Sequence, residues 1–224
     1  MNLDDWRSGP PARILPDKAE QAWEAAWTKF FLPKTGLFYD YLGSYVPGRE
    51  LAHLPTAEEV QRGFPDPCGY GTGMEDCMIS AGVVLDMLVA RFSATGEAAL
   101  AERAALVVEG IHRCATVHGS PGFLARGICP EDGISVYPNS SRDQVTHAVH
   151  GLWRYARSPL ADPAGRERAC AIVRAIADRM LRNCTPENDY DFLRVDGSRC
   201  SRGKVTNISK IRFISYTACT ADCK

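Results

Sequence analysis

The feature that most constrains this chain is a helical pattern that occurs twice. In each copy a loop rich in glycine and proline, at residues 47–73 and again at 119–140, precedes an apolar helix, a short turn and an amphipathic return helix. The apolar helices begin near Asp76 and Asp143, which are 67 residues apart, and the turns at Thr95 and Asp162 are also 67 residues apart. Because residue identity between the copies is slight, the pattern predicts a structural repeat of helical hairpins.

The two hairpins differ in the character of their first helices. Residues 75–95 carry apolar side chains on nearly every side, which predicts a helix buried all round. The second hairpin starts behind Ser140 and Ser141, and because either serine can cap the helix, Asp143 is not needed for capping. Asp162 caps an amphipathic return helix that should bury Ala169, Ile172, Val173, Ile176, Met180 and Leu181.

The predicted fold is all-α. Short turns at one end alternate with long loops at the other, which favours an (α/α)6 toroid of hairpins over a bundle, whose connections are usually short. A further helix is expected behind Pro16 and Asp17, ending before Pro33. Only about half of a six-hairpin ring is visible, so we expect a partial toroid domain at residues 1–187 and an atypical tail, poorly ordered, at 188–224. Such a half-ring should expose apolar flanks of its inner helices and could self-associate through them.

Composition narrows the classes of partner. The net charge of −1 gives no case for nucleic acid or for an anionic membrane surface. The first residues lack the features of a signal peptide, and the apolar stretch at 78–92 is interrupted by polar side chains, so no membrane span is expected. The nine cysteines are odd in number and scattered, which is typical of reduced thiols in a cytoplasmic protein. No cofactor and no metal site are predicted.

The first candidate site is the run from Gly69 to Cys77. Its alternating glycines allow the backbone to turn tightly and to approach a ligand, and they deliver Glu75 and Asp76 into the first turn of the apolar helix. The same acids could simply complement the helix dipole, which is the structural alternative. Tyr70 offers an aromatic face beside them.

The second candidate site opens the second hairpin. Asp143 and His147 are four residues apart and share a helix face, with Gln144 beside them. Tyr137 and Trp153 could stack on sugar rings, and Asn139 and Arg142 offer hydrogen-bond donors for hydroxyl groups or a carboxylate. The structural alternative is a buried polar network that fixes the start of the helix. Two carboxylates at neighbouring helix starts suit glycosidic chemistry, in which one acid protonates and the other carboxylate orients or activates water.

The residues of these two candidate sites resemble the motifs of a known superfamily. The run Asp143-Gln144-x-Thr with Gly151-Leu152-Trp153, one hairpin after Asp76, resembles the six-hairpin glycosidase superfamily and, within it, the unsaturated glucuronyl and rhamnogalacturonyl hydrolases. The resemblance implies (α/α)6 architecture, Asp143 as general acid/base, Asp76 as its partner, and stacking by Tyr70, Tyr137 and Trp153. It implies proton donation to C4 of an unsaturated uronide and addition of water at C5.

The expected function is therefore hydrolysis of oligosaccharides, including unsaturated uronides, by a chain that would be inactive if the ring must be complete. Two alternatives stay open. One is a sugar epimerase or polysaccharide lyase, for which His147 and Tyr137 are the candidate bases. The other is a helical-repeat protein that binds partners without catalysis. Glu75 also competes with Asp76 for the role of second carboxylate.

Overall fold

The computed structural model describes the backbone of residues 10–200 and the side chains of 17–200, and that part of the chain is mostly helical. A long helix, α1, covers Pro10–Ala25 and continues as a π-helical turn over Ala26–Phe30. A two-residue hairpin follows, with β1 at Phe31–Leu32 antiparallel to β2 at Leu37–Phe38. The first helix thus begins earlier than Pro16, and it ends before Pro33 as predicted.

Five more helices build the body of the protein. The short α2, Ala57–Gln61, lies within the first long loop and begins with a capping box in which Thr56 and Glu59 bond each other's backbone N–H groups. The two predicted hairpins are α3, Cys77–Thr95, with α4, Leu100–Thr116, and then α5, Arg142–Ala156, with α6, Pro163–Asn183. A 3-10 turn covers Pro186–Asn188.

Helices α3 and α5 run side by side in the same direction. Near their starts Gln144 contacts Asp76, and further along Arg154 Nε donates to Asp86 Oδ1 at 2.8 Å, so both pairs are 68 residues apart in sequence. Between these contacts the backbones nearly touch, because a Cβ on Gly82 would lie 2.2 Å from the carbonyl oxygen of His147. The constant offset shows that the two hairpins lie in one register.

The outer helices α4 and α6 cover one side of this inner pair. Arg168 Nη1 on α6 donates to Glu109 Oε2 on α4 at 2.7 Å, which links them on the surface. The Asp162 side chain accepts from Gly165 N at 2.6 Å and caps α6 as predicted. Ser141 is the N-cap residue of α5, but its hydroxyl makes no capping hydrogen bond, and the hydroxyl of Ser140 is buried without a partner.

The prediction that α3 is buried all round is wrong. Val83 and Met87 are 42% and 48% exposed, on a face that neither α4 nor α5 covers. Leu181 on α6, also expected inside, is 59% exposed. By length and composition α3 could cross a membrane, contrary to expectation, although this is weak evidence because the core helix of a soluble protein passes the same test.

The segment after α6 packs back onto the body. Asp191 and Leu193 are buried, and Val195 N donates to the carbonyl of Pro138 at 3.1 Å in the loop before α5. The remainder of the predicted tail, residues 201–224, lies outside the described residues, as do Cys219 and Cys223. Among residues 10–200 every cysteine is a free thiol.

Candidate functional site

The candidate site lies where α3 and α5 begin. Four segments meet there: the residue after β2, the glycine-rich run before α3, the loop at 119–140, and the first turn of α5. We call this place the mouth and define it by Asp40, Glu75, Asp76, Arg126 and Gln144, which are joined by hydrogen bonds.

Asp76 occupies the centre of the mouth. It is the N-cap residue of α3, but its side chain does not cap the helix. Instead its Oδ1 accepts from Gln144 Nε2 at 2.7 Å and lies 3.7 Å from Arg126 Nη1, while its backbone N–H donates to Asp40 Oδ2 at 2.8 Å. The side chain remains 49% exposed. Asp76 is therefore an oriented carboxylate that a ligand can still reach.

Glu75 has a different role. Its Oε1 accepts from Gly71 N at 2.9 Å and its Oε2 from Gly73 N at 2.7 Å. Both glycines have positive φ angles, which a side chain would disfavour. Glu75 thus closes the glycine-rich loop onto the start of α3, and this geometry favours Asp76 over Glu75 as the carboxylate that faces a ligand.

Gln144 ties the two inner helices together. Its side chain is fully buried, its Nε2 donates to Glu75 O at 2.8 Å as well as to Asp76, and its Oε1 accepts from Met78 N at 3.2 Å. Both polar atoms of the amide thus bind groups at the start of α3. Gln144 is a buried link, whereas the sequence suggested a substrate contact.

Asp143 precedes Gln144 but points elsewhere, since successive helical residues lie about 100° apart around the axis. It is exposed to solvent. Half-buried His147, one turn on, has its Nδ1 2.8 Å from the backbone oxygen of Asp143. Arg142 is also half-buried. Asp143 is therefore the sequence neighbour of Gln144, which contacts Asp76, and its own side chain lies on a solvent-exposed part of the helix.

Three other predicted ligand contacts have mainly structural surroundings. Tyr137 is 1% exposed, its hydroxyl donates to Phe64 O at 2.7 Å, and its ring fills the space above Gly69, so no face is free for a sugar. Asn139 is buried between Cys68 and Arg194. Trp153 lies about 15 Å along the axis of α5 from Asp143, at 1.5 Å per residue, and stacks with His150.

Tyr70 does lie at the rim of the mouth. Its ring is 57% exposed, and the buried guanidinium of Arg126 lies 4.9 Å from the ring centroid while Nη2 donates to the Tyr70 hydroxyl at 3.2 Å. Tyr41 is a second rim tyrosine, 39% exposed, whose ring stacks on His53 and whose hydroxyl donates to Gly71 O. Each ring is thus supported by a neighbour and still has surface open to solvent.

Sequence reasoning missed Asp40, Tyr41 and Arg126. Arg126 is 2% exposed although it is always charged, and it stands alone in the apolar run from Phe123 to Cys129. An isolated arginine in such a run needs a buried acidic partner, which was a usable signal. Asp40 is a single acid between aromatic residues Tyr39 and Tyr41, which is a similar but weaker signal.

Burial changes the protonation of Asp40. Desolvation first, and then the negative charges of Glu75 and Asp76, raise the pKa of its carboxyl to about 7, against the hydrogen bond from Asp76 N, which lowers it. Around neutral pH this carboxyl is therefore partly protonated, and the mouth combines a protonated acid with a carboxylate that is oriented by an amide and a guanidinium.

A separate cavity of about 300 Å3 lies between the end of α4 and the middle of α6. Its lining is mostly apolar and contains no carboxylate, with His112, Thr116 and Ser120 as its polar residues. This cavity therefore lacks the carboxyl groups that define the mouth. Among the described residues no group of three histidine, cysteine or acidic side chains is arranged to hold a metal ion.

Comparison of the chain with protein families, with curated proteins and with solved structures gives no match.

Proposed function

We propose that the protein is a glycoside hydrolase-like enzyme that acts on oligosaccharides at the mouth, with Asp143 as general acid/base and Asp76 as its oriented partner. The observation that carries the proposal is the contact between Asp76 Oδ1 and Gln144 Nε2 at 2.7 Å, because it joins the starts of the two inner helices and brings the helix turn of Asp143 to Asp76. Paired carboxylates at one opening are the machinery of most glycosidases.

The surroundings of the two acids suit different tasks. Asp76 is held by donors from two other segments, which suits a group that orients a sugar or a water molecule. Asp143 is exposed to solvent, which suits a group that must exchange protons with substrate and solvent. The rim tyrosines Tyr41 and Tyr70 offer ring surface for the apolar face of a sugar.

An unsaturated uronide is the substrate class that we propose first. Cleavage would proceed by transfer of a proton from Asp143 to C4 of the sugar, addition of water at C5, and collapse of the hydrated product with release of the leaving sugar. We propose that the hairpins α3–α4 and α5–α6 are part of an (α/α)6 ring; their parallel inner helices and covering outer helices support this.

The geometry supports the hydrolase over an epimerase or lyase. A base must reach the proton that it removes, and Tyr137 is buried with its hydroxyl donating to Phe64 O. Burial also raises the pKa of Tyr137, which disfavours the phenolate that such a base requires. His147 remains as the single residue of that pair with access to solvent.

The test is turnover of unsaturated glucuronyl and rhamnogalacturonyl disaccharides, followed by the loss of ultraviolet absorbance of the vinyl ether. We expect cleavage by the full chain and a loss of roughly 10²–10⁴-fold in Asp143→Asn, the usual contribution of general acid–base catalysis, with unchanged helical circular dichroism. Asp178→Asn on the exposed side of α6 is the matched control and should keep full turnover. No cleavage of either disaccharide by the wild-type chain would overturn the proposal and favour a non-catalytic helical-repeat protein.

A further inference from the structure

The three carboxyl groups of the mouth receive unequal numbers of hydrogen-bond donors. Glu75 receives two backbone N–H groups, and Asp76 receives the amide of Gln144 and faces the guanidinium of Arg126. Asp40 receives only one donor, the backbone N–H of Asp76, on Oδ2. Its Oδ1 is buried and has no partner within hydrogen-bond geometry.

The charges of the mouth are unbalanced in the same way. Three carboxyl groups share one buried guanidinium, so full ionisation would leave an excess of two negative charges in a partly buried place. A proton on one of the three groups lowers this excess to one. The group with the fewest donors is the one for which protonation costs least, and that group is Asp40.

Asp40 is also fixed in place by its own backbone. It follows β2 directly, and its N–H donates to the carbonyl of Gly73 at 3.1 Å in the loop before α3. Its side chain therefore approaches the start of α3 from a direction that is set by the hairpin, and it contacts the backbone of the residue whose side chain faces the ligand.

We propose that Asp40 is a positioning residue whose carboxyl is partly protonated at neutral pH and which holds Asp76 in place by accepting its backbone N–H. The positioning part of this role rests on the proposed hydrolase function. The protonation does not, because it follows from the burial and the donor count alone.

The protonation state of Asp40 agrees with this role. Desolvation first, and then the nearby charges of Glu75 and Asp76, raise the pKa of Asp40 from 3.8 to about 7, against the hydrogen bond from Asp76 N, which lowers it. The other titratable groups that face it are Tyr41 on its own segment and Cys77 on α3, and the pKa of each is raised, by desolvation first and by negative charges that include Asp40. Arg126 acts through Asp76 as the local positive charge.

Ionisation of Asp40 would therefore disturb Asp76. It adds a negative charge close to Asp76 and Glu75, which already share the single guanidinium of Arg126. The resulting repulsion would loosen the contacts of Asp76 with Gln144 and Arg126. Turnover should therefore fall as the pH rises through about 7, the pKa of Asp40.

The first measurement needs no activity. Carbon-13 NMR of the aspartate carboxyl groups, assigned by the loss of one signal in Asp40→Asn, gives the titration of Asp40 directly in the full chain. We expect a midpoint near neutral pH for this signal. A midpoint of Asp40 near 4 would overturn the proposal.

The second measurement separates the role of Asp40 as a hydrogen-bond acceptor from the role of its charge. Asn is a neutral group of the same shape as a protonated Asp, so Asp40→Asn should retain turnover at pH 6 and lose the alkaline fall. Asp40→Ala removes the acceptor for Asp76 N and should lower turnover at least tenfold at every pH. Equal losses in the two variants would overturn the positioning role. If Asp40 titrates near neutral pH but the wild-type chain cleaves neither disaccharide, the protonation of Asp40 stands and the proposed hydrolase function is refuted.

Discussion

The starts of the two inner helices hold the same place in each hairpin but have opposite surroundings. At α3, Asp76 is reached by Asp40, Arg126 and Gln144, so its carboxylate has one orientation. At α5, Asp143 is exposed, and the polar neighbour that reaches across to α3 is Gln144. The comparison teaches that two repeats can place an acid near the same helix start in different surroundings, one oriented by polar neighbours and the other exposed to solvent, and the proposed division of tasks rests on this difference.

The largest effect should come from separating the two helix starts. Gly82→Ala places a Cβ 2.2 Å from the carbonyl oxygen of His147, where backbone rather than a flexible side chain must move. We expect a loss of about 3 kcal/mol in the free energy of unfolding, the upper part of the usual cost of overpacking, measured by chemical denaturation.

The control for this substitution is Ala90→Ser, which lies on the exposed face of the same helix and should change stability by less than about 0.5 kcal/mol. A Gly82→Ala protein as stable as the control would mean that α3 and α5 do not meet at Gly82, and the shared register would lose its physical basis.

A smaller effect is expected for the link itself. Gln144→Leu keeps the volume but removes the three hydrogen bonds of the amide, to Met78 N, to the carbonyl of Glu75 and to the carboxylate of Asp76, while the first two groups keep their bonds to Arg126. The expected cost is about 2 kcal/mol for the lost hydrogen bonds, one of them to a charged group, measured by thermal or chemical unfolding. A neutral Gln144→Leu would show that the amide does not hold the two helix starts together.

The smallest effect should be found one residue earlier. Asp143→Asn changes an exposed side chain, so we expect stability to stay within about 0.5 kcal/mol of the wild type even though turnover is lost. The contrast between positions 143 and 144 is the sharpest form of the comparison. A destabilisation as large as that of Gln144→Leu would assign Asp143 a structural role.

Stability should also depend on pH through Asp40. Its pKa is raised to about 7 in the folded protein, above its unfolded value of 3.8, so the stabilisation is complete below 3.8 and is lost as the pH rises through about 7. Because Asp40 is partly exposed, we discount the full shift for solvent screening and expect about 2 kcal/mol between pH 4 and pH 8. Asp40→Asn should abolish this dependence, and its persistence in the variant would assign the effect to another group.

The sequence predicted the elements that depend on local chemistry. Asp162 caps its helix because the required partner, Gly165 N, is three residues away. The recurrence of the hairpin was also readable from the spacing of helix starts and turns, although the contacts between the inner helices join residues 68 apart in sequence and not 67. The open face of α3 was not, because Val83 and Met87 are as apolar as buried residues and only the arrangement of α4 and α5 leaves them uncovered.

The candidate site was predicted in part for the same reason. Asp76 and Asp143 follow recognisable loops, so the sequence alone identifies them as candidates. Asp40 and Arg126 reach the mouth from segments 36 and 50 residues away from Asp76, by loop paths that have no period. Nor could sequence show that Gln144 is buried, because a polar residue in a first helical turn usually faces water.

The most direct test of the central claim is a crystal structure of Asp143→Asn with an unsaturated glucuronyl disaccharide. The account predicts the unsaturated ring between Asp76 and residue 143, with both side chains within hydrogen-bond distance of that one sugar and a rim tyrosine against its apolar face. Two results would contradict the proposed division of tasks between the two helix starts. One is a disaccharide bound away from the mouth, and the other is a disaccharide that contacts residue 143 but not Asp76.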